Sequence, residues 1–390
     1  MTSEWNHSTI NDVCVLVTDG SHSSPKSVND GKYMVSVKDF TDYGFDFASC
    51  RMISNDDYET LKRNGCVPQM DDILIGKDGA RFFEDIIIYR QREKPALLSS
   101  IAILRCDKSK ILPDFLYYVL RTPSFRQDVK DNYGSGSAIP RIILKDFKRM
   151  MVSYPSLEKQ QSIISVLTAI DSKIQANTEI NDNLHQQAAT LFKALFVDLT
   201  PFDGTMPPNW TISTLGDATE MGAGGDKPKE SSPVKTPLCP YPIYSNGIND
   251  YGLYGYTNDP KIKVESVTVS ARGTIGYVCL RHTPYVPIVR LVTLIPDTKV
   301  LSAKYLYLYL RQLHITGTGT TQQQLTVPDF RKTEIIIPDK NTMDSFTETV
   351  TPLFEQIWAN EDENTKLAEV RDALLPKLMS GEIDVSDIQL

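Results

Sequence analysis

No apolar run in the chain approaches the 18 or so residues that a bilayer-spanning helix needs, and the opening MTSEWNHSTIND has neither a basic nor an apolar targeting segment. Membrane partners and export are therefore not expected, which leaves a cytoplasmic chain. Cysteine is sparse: Cys14, Cys50, Cys66, Cys106, Cys239 and Cys279 are scattered without a CxxC pair, so no metal site and no disulfide framework is expected. The five histidines, His7, His22, His185, His282 and His314, stand far apart in no acid, base or ligand spacing. There is no GxxxxGK[ST] phosphate loop, no GxGxxG after a strand, no HExxH, and no Asn-Pro-Pro-aromatic or Asp-Pro-Pro-aromatic motif of the amino-methyltransferase kind. No catalytic residue is expected.

What is present is an ordinary globular composition, 41% hydrophobic and 23% charged over 390 residues, enough for two or three domains. The net charge of -8 is unevenly distributed. Residues 1–156 are net 0, 157–199 net -2, 200–340 net +2, and 341–390 net -8. Two near-neutral blocks can hold local basic patches, so charge alone neither supports nor excludes nucleic acid.

A shift of 183 residues aligns 134–195 with 317–378 without a gap and gives 14 identities, Asp146/Asp329, Phe147/Phe330, Pro155/Pro338, Asn177/Asn360 and Asn181/Asn364 among them. Chance would give about four. Upstream, Trp5 pairs with Trp210, ILIGKDG (73–79) with VTVSARG (267–273), and FLYYVLR (115–121) with YLYLYLR (305–311). The chain reads as two copies of a globular block followed by a long helix.

Positions 163, 167, 170, 174, 177, 181, 184, 188, 191 and 195 alternate spacings of four and three and are apolar apart from two asparagines, which predicts a coiled-coil seam. The second copy repeats it from Phe346 to Leu378, with Asn360 and Asn364 in the corresponding places. If the helices pair with each other, duplication favours an antiparallel arrangement in which Asn177 and Asn181 meet Asn360 and Asn364 and fix the register. Pro352 and Pro376 predict a kink or restart in the second helix. The blocks mix β-rich runs (86–89, 100–104, 267–269, 286–294, 335–337) with a short helix at about 113–121 or 302–313. The expected fold is α+β (mixed α/β): two similar globular domains related by pseudo-twofold duplication, separated and joined by two long helices forming an antiparallel coiled coil. Its segments are a block at 1–156, a helix at 157–199, a block at 200–340 entered through the linker 200–208, a helix at 341–380, and a tail at 381–390.

The repeated loops are rich in glycine, hydroxyl, amide and cation. Gly134-Ser135-Gly136-Ser137, followed by Arg141, matches Gly317-Thr318-Gly319-Thr320, followed by Gln322, Gln323 and Gln324. Glycine allows close approach to a sugar-phosphate backbone, hydroxyls donate to phosphate, and Arg or Gln can read base edges. Lys77 and Arg81 flank one turn glycine, and Arg272 and Thr274 flank another. Lys26, the pair Lys227 and Lys229, and Asn246 in the tyrosine-rich stretch 241–256 complete the candidate DNA-binding set. Residue type alone leaves tight turns and solvated hairpins open for all of them. A non-catalytic coiled-coil adaptor with duplicated protein- or carbohydrate-binding domains, or a nuclease with a dispersed site, is also compatible with these features.

The arrangement resembles the specificity subunits of type I restriction-modification systems. The resemblance lies in EKQQSIISVLTAIDSKIQANTEINDNLHQQAATLFKALFVDL, the ending LLPKLMSGEIDV, W-x4-L-G-D at 210–217, PIYSNGI at 242–248 and RGTIG at 272–276. It implies a non-catalytic subunit whose blocks are target recognition domains, each reading half of a bipartite sequence in double-stranded DNA. The helices would be spacer and docking surface for two modification (methyltransferase) subunits, with restriction (translocase/endonuclease) subunits in the full complex. S-adenosylmethionine, ATP and Mg would sit on those partners and none on this chain. A helix over 163–195 would be a rod of about 50 Å at 1.5 Å per residue, about 14 base pairs of duplex.

Overall fold

A computed structural model describes residues 5–79, 81–134, 140–317 and 324–385. The chain divides into two compact units, 1–175 with 363–390 and 176–362.

In unit 1 a four-stranded antiparallel sheet is built from β1 (Cys14–Asp19), β2 (Ile73–Gly76), β3 (Ile86–Ile88) and β4 (Ile101–Cys106), in the order β1-β4-β2-β3. The β-branched runs fix this sheet because successive side chains point to opposite faces. Along β2 and β4, Ile73, Ile75, Ala102 and Leu104 face one core, while Leu74, Ile101 and Ile103 face another. Each large aliphatic side chain buried this way contributes about 1.5–3 kcal/mol. The first core is closed by α1 (Pro113–Arg121), which starts on Pro113 at its first position, and by the opening of α2 (Leu157–Phe192). Ser156 caps α2, its Oγ accepting from the Lys159 amide at 3.5 Å.

Unit 2 repeats the frame. Its sheet contains β5 (Thr219–Ala223), β6 (Ser266–Val269), β7 (Val278–Arg281) and β8 (Val292–Pro296), in the order β5-β8-β6-β7, with α3 (Ala303–Gln312) against it. Here only one face of β6 is apolar. Val267 and Val269 enter the core, while Ser266 bonds Tyr285 Oη at 3.0 Å and Thr268 Oγ1 accepts from Arg281 Nε at 3.0 Å. The expected strand at 286–294 is divided, because Val289 and Arg290 take left-handed φ values of 53° and 60° between Val286–Pro287 and β8.

The last element is α4 (Lys340–Ser380), one helix of 41 residues. It does not restart at Pro352 or Pro376, one of the two outcomes expected there. Both prolines are exposed, as are Glu348 and Asp372 four residues earlier, so water can reach the carbonyls that lose their amide donor. Each unit holds part of α2 and part of α4, and in each the two run antiparallel. In unit 1, Lys173 Nζ lies 3.1 Å from Glu363 and Arg371 Nη1 lies 2.9 Å from Asp171. In unit 2, Asn360 Nδ2 donates to Asn181 Oδ1 at 2.7 Å, and Asn181 Nδ2 donates to the Ile357 carbonyl at 3.2 Å. Asn364 Nδ2 reaches the Ile174 carbonyl at 3.4 Å, and Asn177 is buried. The seam is followed as far as Ala188. There the burial moves to Phe192, leaving Leu191 36% exposed, because 3.6 residues per turn drifts from a 3.5 repeat and the unit 2 core takes the phenylalanine.

The Asn181–Asn360 pair gives a direct test. Asn360→Leu is expected to cost about 1–3 kcal/mol, because it leaves Asn181 Oδ1 buried without its donor. The double Asn181→Leu, Asn360→Leu chain should regain most of that loss. Thermal unfolding decides it, and a double variant no better than the single would show that the asparagines do not act as a pair.

The 200–208 segment lies wholly inside unit 2, where a linker between blocks was expected. Phe202 stacks edge-on against Trp210 at 5.2 Å, which ties the segment to the core. The chain passes between units only inside α2 and α4. The counterpart in unit 1 is the tail, where Ile383 and Val385 pack into the core and Gly381, at φ 76°, lies against Trp5.

Candidate nucleic-acid interface

Two loops flagged separately in the sequence meet in each unit, and they meet in the same way. In unit 1 the turn after β2 pairs with the segment following the first glycine-hydroxyl loop. The Gly79 amide donates to the Pro140 carbonyl, the Ile142 amide donates to the Lys77 carbonyl (both 3.0 Å), and Asp78 bridges Arg141. In unit 2 the Leu325 amide donates to the Ala271 carbonyl at 3.0 Å, and Arg272 donates to Gln324 Oε1 through Nε (3.2 Å) and Nη2 (2.9 Å). Gly79 and Gly273 both turn the chain in the left-handed region, at φ 97° and 69°. Gly317 lets the second loop approach, because a Cβ there would lie 2.7 Å from the Gln324 nitrogen.

The candidate residues divide by what they touch. Arg141, Arg272 and Thr274 are exposed beside these paired turns, and Gln324 is half-buried there. Arg81 is exposed and bound to Asp85 at 2.8 Å. Lys26, Lys227 and Lys229 are exposed, with Lys227 Nζ 5.2 Å from the Tyr254 ring centroid. Lys77 and Asn246 are placed differently. Lys77 is 7% exposed, with Nζ 3.4 Å from Asp19 and 3.5 Å from Asp78, so its charge braces the turn from inside. Asn246 accepts from the Ala271 amide at 2.7 Å and donates to the Val289 carbonyl at 2.6 Å, which ties three loops together. Both brace the loops from within the unit they belong to. Ser135, Ser137, Thr318, Thr320, Gln322 and Gln323 lie outside the described residues.

The structure adds what local reading missed. Asp19, at the end of β1, is the counterion of Lys77. Gly20 and Gly224 are repeat equivalents, each packed so closely that a Cβ would meet the facing chain, at 2.4 Å from Leu97 O and 2.7 Å from Ile288 N. Of the tyrosine-rich stretch, Tyr244 stacks under Arg281 at 3.6 Å, and Tyr251 Oη bonds Glu361 at 3.3 Å. Glu361 has its carboxyl raised above the usual range by burial. Among the described residues no cluster of His, Cys, Asp or Glu could hold a metal, and no helix is long and apolar enough to cross a membrane.

The model of the type I restriction modification DNA specificity domain matches the chain twice, over residues 2–186 and 207–369. The chain belongs to that family. Specificity subunits are the non-catalytic, DNA-recognition components of type I systems, so the missing catalytic motifs are a property of the family as well as of this sequence. The chain is similar to the MjaIX specificity subunit of Methanocaldococcus jannaschii, 27% identical over 314 residues, covering 72% of this chain and 71% of that one. It is also similar to the HindI specificity subunit of Haemophilus influenzae, 26% identical over 369 residues, covering 72% and 80%. A crystal structure of the type I S subunit from M. genitalium shares the fold of this specificity-family chain, with a TM-score of 0.57 at 16% identity over 97% of this chain and 96% of the other.

Proposed function

We propose that each unit reads one half of a bipartite sequence in double-stranded DNA through its paired turns. The observation that carries this reading is the repeated junction, Ile142 to Lys77 in one unit and Leu325 to Ala271 in the other, with Arg141, or Arg272 and Gln324, beside it. A bipartite target needs two similar reading heads, and guanidinium and amide groups at exposed turns suit phosphate contact and base readout. The paired helices act as spacer and as docking surface for two modification subunits, which bring S-adenosylmethionine and flip the adenine. Restriction subunits with ATP and Mg join in the full complex, and the assembly acts in the cytoplasm.

Co-expression with the neighbouring methyltransferase subunit, followed by sequencing of methylated adenines, tests the proposal. A split motif with a fixed gap is expected, and exchange of residues 1–156 for the block of a relative should change one half only. Stable complex formation without sequence-dependent methylation would leave a partner-binding scaffold and overturn the reading.

A further inference from the structure

A Tyr-x3-Arg pair stands at the last turn of α1 and again at the last turn of α3, and in both places it builds the same object. Arg121 lies 4.9 Å from the Tyr117 ring centroid and donates to its hydroxyl. Arg311 lies 5.6 Å from the Tyr307 ring, with Nη1 donating to the hydroxyl at 3.1 Å. Each arginine lines a cleft, of about 840 Å³ in unit 1 and about 430 Å³ in unit 2. Each cleft also borders the paired turns, through Gly79 and Arg81 in one unit and Gly276 and Tyr277 in the other.

The clefts have diverged elsewhere. Asp171 in unit 1 corresponds to Phe354 in unit 2, and Arg371 to Ala188, yet the tyrosine-held arginine stays. Among the described residues no carboxylate lies within ion-pair distance of Arg121 or Arg311, whereas Arg81 has Asp85 and Arg371 has Asp171, at 2.8 and 2.9 Å. Most carboxylates lining the unit 1 cleft are engaged elsewhere, Asp78 by Lys77, Glu84 and Asp85 by Arg81, and Asp171 by Arg371 and Tyr118, while Asp42 also lines it and Glu361, bonded by Tyr251, lines the unit 2 cleft. A second arginine with no ion-pair partner among the described residues lies near each. Arg126 has its pKa lowered, first by burial and next by the charge of Arg121. Arg281 is 6% exposed, held on Tyr244 and by Thr268.

A guanidinium at a helix C-terminus gains from the dipole, which is a structural reason for its position. It does not explain why, in both copies, two arginines gather with no carboxylate within ion-pair distance among the described residues. A fixed guanidinium fork with no counterion is suited to a phosphate, and the tyrosine has already removed part of its rotamer freedom. We propose that Arg121 and Arg311 are equivalent phosphate-binding residues, each presenting a tyrosine-held guanidinium in its cleft to the DNA backbone. This rests on the DNA-reading function above.

The test uses the full chain with any co-purifying methyltransferase subunits, and duplexes with and without the methylated motif, titrated over a range of KCl. Arg121→Gln and Arg311→Gln are each expected to weaken binding about tenfold on both duplexes, and to reduce the slope of log K against log salt by about 0.9. The lysine variants should restore most of that slope. Tyr117→Phe and Tyr307→Phe keep the charge while loosening its hold, so affinity should fall by about threefold with the slope unchanged. Folded glutamine variants with the wild-type slope would overturn the proposal and leave the DNA reading intact. A wild-type complex whose DNA binding ignores salt would overturn both.

Discussion

Replacing Asp72 by alanine is expected to remove about 3–5 kcal/mol from the stability of unit 1. Asp72 is fully buried, and its two oxygens accept from Arg105 Nε and Nη2, both at 2.8 Å, while Oδ2 also takes the Gln69 amide at 2.7 Å. The bond to Asp72 pushes the Arg105 pKa above its usual value against the opposing effect of burial. Removing the carboxylate leaves a half-buried guanidinium and a backbone amide without their acceptor. Arg105 is 27% exposed and can turn part of the way to water, so the loss should fall toward the lower end of the range. Asp72→Ala with Arg105→Met should recover part of it, because the remaining cation is then gone. Urea unfolding measures both. A single variant with the wild-type midpoint would show that the pair adds nothing to the fold. In methylation sequencing the same substitution should blur one half of the motif before the other.

How much of this was legible in the sequence depends on the range of each interaction. The seam could be read because a 3/4 spacing is local, and the Asn181–Asn360 hydrogen bond followed from duplication together with an antiparallel assumption. The short helices at Pro113–Arg121 and Ala303–Gln312 were equally local. Lys77 misleads for the opposite reason. A lysine beside a turn glycine reads as a solvated cation until Asp19, far away in sequence, is placed against it. Asn246 behaves alike, since its partners Ala271 and Val289 come from other loops. The prolines of α4 do not interrupt the helix because they lie on an exposed face where the freed carbonyls can meet water, which is a tertiary fact. As local patterns FLYYVLR and YLYLYLR speak only of duplication. That their Tyr and Arg make a held guanidinium follows from the i, i+4 geometry of a helix, whereas the lack of a carboxylate within ion-pair distance among the described residues is a tertiary fact.

Phe192→Ala should destabilise unit 2 on the scale that Asp72→Ala destabilises unit 1, by about 3–5 kcal/mol, through lost packing and no lost charge. The ring is 1% exposed, with centroids of Phe196, Tyr305, Tyr309 and Phe346 at 5.3, 5.4, 6.4 and 6.1 Å. Those rings come from the helical turn Lys193–Val197 that follows α2, from α3 and from α4, so one cavity loosens all three helical contributions to the unit 2 core. Phe192→Leu keeps much of the volume and should cost less than half as much. The comparison with Asp72→Ala is informative because each substitution lies within a single unit. If the two units fold as separate cooperative bodies, each variant should split the thermal transition, with the affected unit melting first and its half of the methylation motif relaxing first. Since α2 and α4 each contribute to both units, a single transition shifted equally by either substitution is the other possible result. It would mean that the helices carry the destabilisation from one reading unit to the other, and that neither half of the target can be weakened alone by damage to a core.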